Sequence, residues 1–172
     1  FDFPENFDHP LDTKSVTQFW RRWHMTLGRF FRDYLYIPLG GNRVSFAKWV
    51  RNILIVWMAT GLWHGADWTF VVWGLFFAFF LMLEKLVLKQ YLEKAHVFSH
   101  FYLWILLTVC FVIFHASGLS DAAKTIRYMT GFGGIPILSA ESLFYFKDYF
   151  LLVLLGIVGA TSFPFRFVSH LQ

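Results

Sequence analysis

Trp68-Thr69-Phe70-Val71-Val72-Trp73-Gly74-Leu75-Phe76-Phe77-Ala78-Phe79-Phe80-Leu81-Met82-Leu83 runs for sixteen residues without a charge. Past Glu84-Lys85 the apolar pattern extends to Leu88, before Lys89. About 20 mostly apolar residues are what a helix needs to cross the hydrocarbon core, so this stretch reads as a membrane span with Glu84 and Lys85 at its polar end. The whole chain supports that reading. Of its 172 residues 57% are apolar, 22% aromatic and only 15% charged, against about 25% charged in soluble domains. An aromatic excess of this size suits a membrane protein, where amphipathic rings favour the interface.

Toward the C-terminus, Glu93 to His100 reads as a short polar loop. Phe101 to Phe114 is a further apolar run, brought to spanning length by His115, Ala116 and Ser117. Ser120-Asp121 then opens an amphipathic helix to about Thr130, with Lys124 and Arg127 on its polar side. Gly131, Gly133, Gly134 and Pro136 mark a turn. Tyr149 to Phe163 is the last apolar run, with Gly156 and Gly159 as close-packing points.

Toward the N-terminus, a helix starting near Phe46 carries the uncharged run Ile53–Trp63, and Gly61 and Gly65 are expected to loosen it around His64. Pro38 and Gly40-Gly41-Asn42 predict a turn. Before it, Phe19, Trp23, Leu27, Phe30 and Phe31 recur at helical spacing, and Arg21, Arg22, Arg29 and Arg32 lie opposite. That spacing predicts one amphipathic helix from Val16 to Tyr34, lying at the membrane surface or dipping into it, with Asp12, Thr13 and Ser15 as capping candidates. Phe1 to Leu11 reads as a polar loop. The expected fold class is all-α: a polytopic membrane helical bundle with three to four spans and at least two amphipathic or re-entrant helices. A chain that opens on Phe1 and stops at Gln172, just past an apolar stretch, is expected to be a fragment of a longer protein.

Eight of the fifteen Lys and Arg residues fall in the first 51 positions: Lys14, Arg21, Arg22, Arg29, Arg32, Arg43, Lys48 and Arg51. They read as a positive-inside cytoplasmic flank or as a surface for an anionic ligand, such as the phosphate of coenzyme A or of an acyl carrier. Nucleic acid is not expected as a partner, because so many Phe and Trp residues are interleaved with these charges. Cys110 is the single cysteine, which excludes an intrachain disulfide and CxxC metal motifs. Arg32, Asp33 and Arg43 are expected to form a buried ion network that holds the Pro38–Gly41 turn.

Two histidines stand out, forty positions apart. His64 lies in an otherwise apolar segment, where a titratable side chain is costly and is a functional candidate by default. A buried neutral imidazole suits a general base. A structural His bonding between helices fits the spacing equally well. His24, in Trp20-Arg21-Arg22-Trp23-His24, reads from position alone as an interfacial surface residue. His96 and His100 share a helix face, but a third ligand at metal-site spacing is missing, so no metal is expected. Ser15, Ser45, Ser99 and Ser117 lack a nucleophile-elbow context, and no phosphate-binding glycine loop appears.

Trp20-Arg21-Arg22-Trp23-His24, then Arg32-Asp33-Tyr34-Leu35-Tyr36-Ile37-Pro38-Leu39-Gly40-Gly41-Asn42-Arg43, then Gly61-Leu62-Trp63-His64-Gly65-Ala66 and Trp73-Gly74 together resemble the membrane-bound O-acyltransferases. The resemblance is closest to the bacterial branch of alginate O-acetylases and teichoic-acid D-alanyl transferases, and it covers residues 1–130 well. It implies that residues 1–172 are the C-terminal part of a single such domain. Within it, 1–45 would be an interfacial or re-entrant catalytic segment, and 46–172 the membrane spans with their connecting amphipathic helix. It implies His64 and His24 as catalytic, with Trp23, Trp63 and Arg22 as substrate-binding candidates. It further implies a multi-pass protein of the bacterial inner membrane, which acetylates an exopolysaccharide such as alginate from a thioester donor (acetyl-CoA or an acyl carrier). No bound cofactor is implied. The acceptor would be polysaccharide or a periplasmic acetyl-carrying transferase protein. The resemblance also implies a tunnel near both histidines, where a donor from the cytoplasmic side meets an acceptor from outside, and two departures bear on its lining. Phe77-Ala78 stands where many relatives have His-Gly, and Phe114-His115-Ala116 where they often have Phe-Arg-Ala. The rival readings are D-alanyl transfer to teichoic acid, a transport segment with His64 as proton relay, and a structural membrane module.

Overall fold

A computed structural model describes residues 3–134, 136, 138–162 and 164, and the backbone alone at His96. Among the described residues every regular element is helical. The chain divides into two compact units, Phe1–Ala123 and Lys124–Gln172.

In the first unit a 3-10 turn, Pro10–Asp12, leads to α1 (Val16–Arg22) and α2 (Met25–Phe31). A π-type turn, Arg32–Tyr36, then leads to α3 (Phe46–His64) and α4 (Trp68–Leu83). A second π-type turn, Glu84–Leu88, joins α4 to α5 (Lys89–Lys94), and α6 (His96–His115) follows. α7 (Leu119–Met129) runs across the division between the units, and α8 (Ala140–Gly159) belongs to the second. Among the described residues three stretches are long and apolar enough to cross a membrane: Trp68–Lys94, Val97–His115 and Ala140–Gly159. α3 is not among them, because Lys48 and Arg51 occupy its first turns.

α3 and α4 form the tightest pair. An added Cβ at Gly61 would collide with the Phe70 carbonyl, and one at Gly74 with the Trp57 carbonyl, so the two backbones touch where the side chains are missing. In lipid, helices gain little from hydrophobic burial against each other, and close van der Waals contact takes its place. Gly61 therefore serves packing and does not loosen the helix, which continues unbroken to His64. Phe77 and Ala78 are buried in the core, with Phe77 against Trp20, Trp57 and Trp73 at ring-centroid distances of 5.0, 5.5 and 5.2 Å.

Four expectations are corrected. The helix expected over Val16–Tyr34 is broken at Trp23-His24, where His24 takes a left-handed backbone (φ 50°, ψ 48°). The loop expected over Glu93–His100 is helical on both sides of Ala95, because the Ser99 hydroxyl bonds back to the Leu92 and Ala95 carbonyls across the joint. α8 starts at Ala140, because Ser139 and Ser142 cap its first turn reciprocally; the Phe163 end of the expected run lies outside the described residues. The Arg32–Asp33 pair is real at 2.7 Å, but it is exposed and excludes the Arg43 side chain. Buried Asn52 holds the turn, donating to the Leu39 carbonyl at 3.0 Å and the Gly41 carbonyl at 3.4 Å, while the Tyr36 hydroxyl donates to Asn42 at 2.6 Å.

Candidate active site

The break after α1 is built from the N-terminal loop. The Asn6 carbonyl accepts from the Met25 amide at 3.0 Å. Its side-chain oxygen accepts from the Thr26 amide at 3.1 Å and the Thr26 hydroxyl at 2.9 Å. Asn6 therefore satisfies the first turn of α2, the task an N-cap residue performs from next door in sequence. A left-handed conformation costs an L-residue about 1–2 kcal/mol, and these bonds offset it. His is among the residue types found there more often than most.

The imidazole of His24 makes an edge contact with Trp63 at 5.8 Å between centroids, and Trp63 in turn meets His64 at 4.8 Å. One indole thus bridges the two histidines. His24 Nδ1 is buried with no hydrogen-bond partner. Burial, and then the neighbouring His64, push the His24 pKa below its ordinary value, so the ring is neutral at pH 7. The histidine expected at the surface is half-buried, with its Nδ1 turned inward.

His64 ends α3. Its Nδ1 lies 2.8 Å from the Thr60 carbonyl. A carbonyl only accepts, so Nδ1 carries the proton, and in the neutral ring Nε2 keeps its lone pair. Trp73 and Phe114 close around the ring at 4.9 and 5.4 Å. Asn6, Thr60, Trp73 and Phe114 were not singled out from the sequence as site residues. Phe114 carried a signal as part of a departure from the family pattern, and Trp73 as part of the Trp73-Gly74 block of the resemblance.

A cavity of about 1090 Å³ reaches the sequence neighbours of the two histidines but is lined by neither of them. Thr60, which holds His64, and Met25, which follows His24, are part of its wall. Lys14, Arg21, Arg29, Arg32, Lys85 and Lys89 line it too, with Trp20, Trp57 and Ile53 among its apolar lining. Arg22 is not part of that wall: its Nε lies 3.9 Å from Asp8, on the N-terminal loop. Trp23 stacks on Phe19 at 5.5 Å and meets Phe7 at 4.9 Å, whereas Trp63 stays 57% exposed. Among the described residues no three His, Cys, Asp or Glu side chains converge as metal ligands.

The family model of the membrane-bound O-acyltransferases matches residues 3–122. A peptidoglycan O-acetyltransferase of Helicobacter pylori is 37% identical over 145 residues, 78% of this chain and 26% of that protein. A probable alginate O-acetylase AlgI of Azotobacter vinelandii is 40% identical over 134 residues, 77% of this chain and 27% of that protein. A teichoic acid D-alanyltransferase of Bacillus subtilis is 35% identical over 83 residues, 44% of this chain and 21% of that protein. The chain spans about a quarter of the length of the O-acetylating relatives.

Proposed function

The chain belongs to the membrane-bound O-acyltransferase family, and from that premise we propose that its protein moves an acetyl group from a thioester onto a hydroxyl of a cell-surface polysaccharide such as alginate. The observation that carries the proposal is the hydrogen bond from His64 Nδ1 to the Thr60 carbonyl, which leaves Nε2 free as a base. Nε2 takes the proton of the acceptor hydroxyl as its oxygen attacks the thioester carbonyl. The tetrahedral intermediate then collapses with loss of the C–S bond, and the imidazolium returns the proton to the leaving thiolate. General-base help of this kind contributes about 10²–10⁴ in rate. Neutral His24 and the Trp63 indole supply N–H donors for the developing oxyanion.

The donor is coenzyme A or an acyl carrier, and its phosphates meet the basic wall formed by Arg21, Arg29, Arg32 and Lys85. Arg22, whose Nε lies 3.9 Å from Asp8, is a substrate-binding residue beside Trp23 and Trp63. The protein is a multi-pass one of a bacterial inner membrane, with this basic cluster on the cytoplasmic side. Its partners are the bilayer and either polysaccharide or a periplasmic acetyl-carrying transferase. D-alanyl transfer to teichoic acid is the second reading. It is favoured less, because the relatives so named cover 44% and 51% of this chain, against 77–78% for the O-acetylating ones.

The test is transfer of labelled acetyl by membranes containing the full-length protein, wild type against His64→Ala at matched protein levels. A loss of about a hundredfold or more is expected. Equal transfer removes His64 from the chemistry.

A further inference from the structure

Glu84 is 3% exposed, in a helix otherwise long and apolar enough to cross a membrane. A buried carboxylate there is costly unless it is fully bonded. Its partners come from 67 and 68 residues earlier in the chain. Oε1 accepts from the Val16 amide at 2.6 Å; Oε2 accepts from the Thr17 amide at 2.9 Å and the Thr17 hydroxyl at 2.7 Å. These are amide donors of the first turn of α1, which have no partner inside the helix. Next to Glu84, Lys85 Nζ donates to Asn42 at 3.2 Å and lies over the Trp49 ring at 4.3 Å. Two consecutive residues of the π-type turn Glu84–Leu88 thus hold both ends of the segment that carries His24.

We propose that Glu84 is a positioning residue: its carboxylate clamps the start of α1 and thereby holds the Trp23–His24 break against Trp63 and His64. The role assigned to the reaction rests on the acyl-transfer reading; the clamp itself does not. α1 has seven residues, so its start and its His24 end move as one short rod. Its C-terminal end is hydrogen-bonded to the loop, through Asp8 N–H to the Arg22 carbonyl and through Asn6 beyond it, while Trp20 packs on Trp57, Trp73 and Phe77. Without the clamp, α1 hinges on that loop and His24 leaves Trp63.

The experiment uses the full-length protein in membranes, with Glu84→Gln and Thr17→Val. Gln keeps the shape but turns an N–H toward a donor, and Val removes the hydroxyl bond alone. Carbethoxylation by diethyl pyrocarbonate, read by mass spectrometry at His24 with His115 as internal reference, reports the break directly. Expected is a rise of about tenfold at His24 in Glu84→Gln, a smaller rise in Thr17→Val, and no change at His115. In acetyl transfer, kcat per molecule falls about tenfold or more in Glu84→Gln while the donor KM stays within about twofold. Unchanged His24 labelling overturns the proposal. So does an unchanged kcat per molecule in a variant whose only defect is a lower protein level. A wild type that transfers no acetyl group, but whose His24 labelling answers to Glu84→Gln, leaves the clamp standing and removes the acyl-transfer reading instead.

Discussion

Gly61→Ala adds one methyl group three residues before His64, and its effect can be worked out from the α3–α4 contact. The methyl would meet the backbone carbonyl of Phe70, which cannot rotate away as a flexible side chain would. Ordinary contact begins at 3.4 Å, so the two backbones must part by about 1 Å, an overpacking that costs about 1–3 kcal/mol. Replacing Gly inside a helix returns about 0.5–1 kcal/mol, which leaves a net loss of about 0–2.5 kcal/mol. The larger effect falls on chemistry. His64 rides on the displaced turn, and a misplacement of about 1 Å can cost about 10²-fold in rate. Acetyl transfer at matched protein levels and the thermal unfolding midpoint in detergent measure the two effects separately. Gly28→Ala is the stability control, because its methyl would lie 3.9 Å from the Trp20 carbonyl, in ordinary contact. That variant should unfold at the same temperature or higher. If Gly61→Ala matches the wild type in both stability and rate, the backbone contact is not what places His64.

Two further outcomes follow. The depressed pKa of His24 predicts a protonation midpoint below the ordinary 6.5, readable from its ring-nitrogen signals, and a midpoint at or above 6.5 would sink it; because the unfolded chain takes up this proton first, the stability is present above pH 6.5 and is lost as pH falls through the lowered value. Asn52→Ala frees two carbonyls of the 38–43 turn at about 1–3 kcal/mol, so tryptic cleavage after Arg43 should speed up about 5–30-fold, and an unchanged rate would mean that the turn is held by something else.

The elements legible in the sequence were those with local causes. The α4 limits, Trp68 and Leu83, follow from the charges on either side, with Asp67 capping the start by accepting from the Thr69 amide. The start of α1 follows from Ser15, whose side chain accepts from the Gln18 amide. The turn at Gly40-Gly41 follows from residues able to take positive φ. What escaped had distant causes. Phe19, Trp23 and Leu27 keep helical spacing straight through the break at His24, and the residue that stabilises the break, Asn6, lies in a loop with no pattern of its own. Glu84 looked like the polar end of a span because its partners are nearly seventy positions away. For the same reason spacing did not distinguish a surface His24 from an inward one. His64 was the reverse case: its apolar surroundings and glycines were visible, although Gly61 faces the Phe70 carbonyl and Gly65 the Phe70 ring, and not an opening.

The left-handed backbone at His24 governs what a mutant allele at that codon can mean. Alanine removes the imidazole but leaves a side chain ill-suited to positive φ, so a silent His24→Ala enzyme would confound lost chemistry with a straightened hinge. Asparagine enters that region more readily than other non-glycine residues, and glycine enters it freely. An inactive His24→Asn or His24→Gly protein therefore indicts the ring itself, whereas activity recovered in either would place the fault of the alanine allele in the main chain.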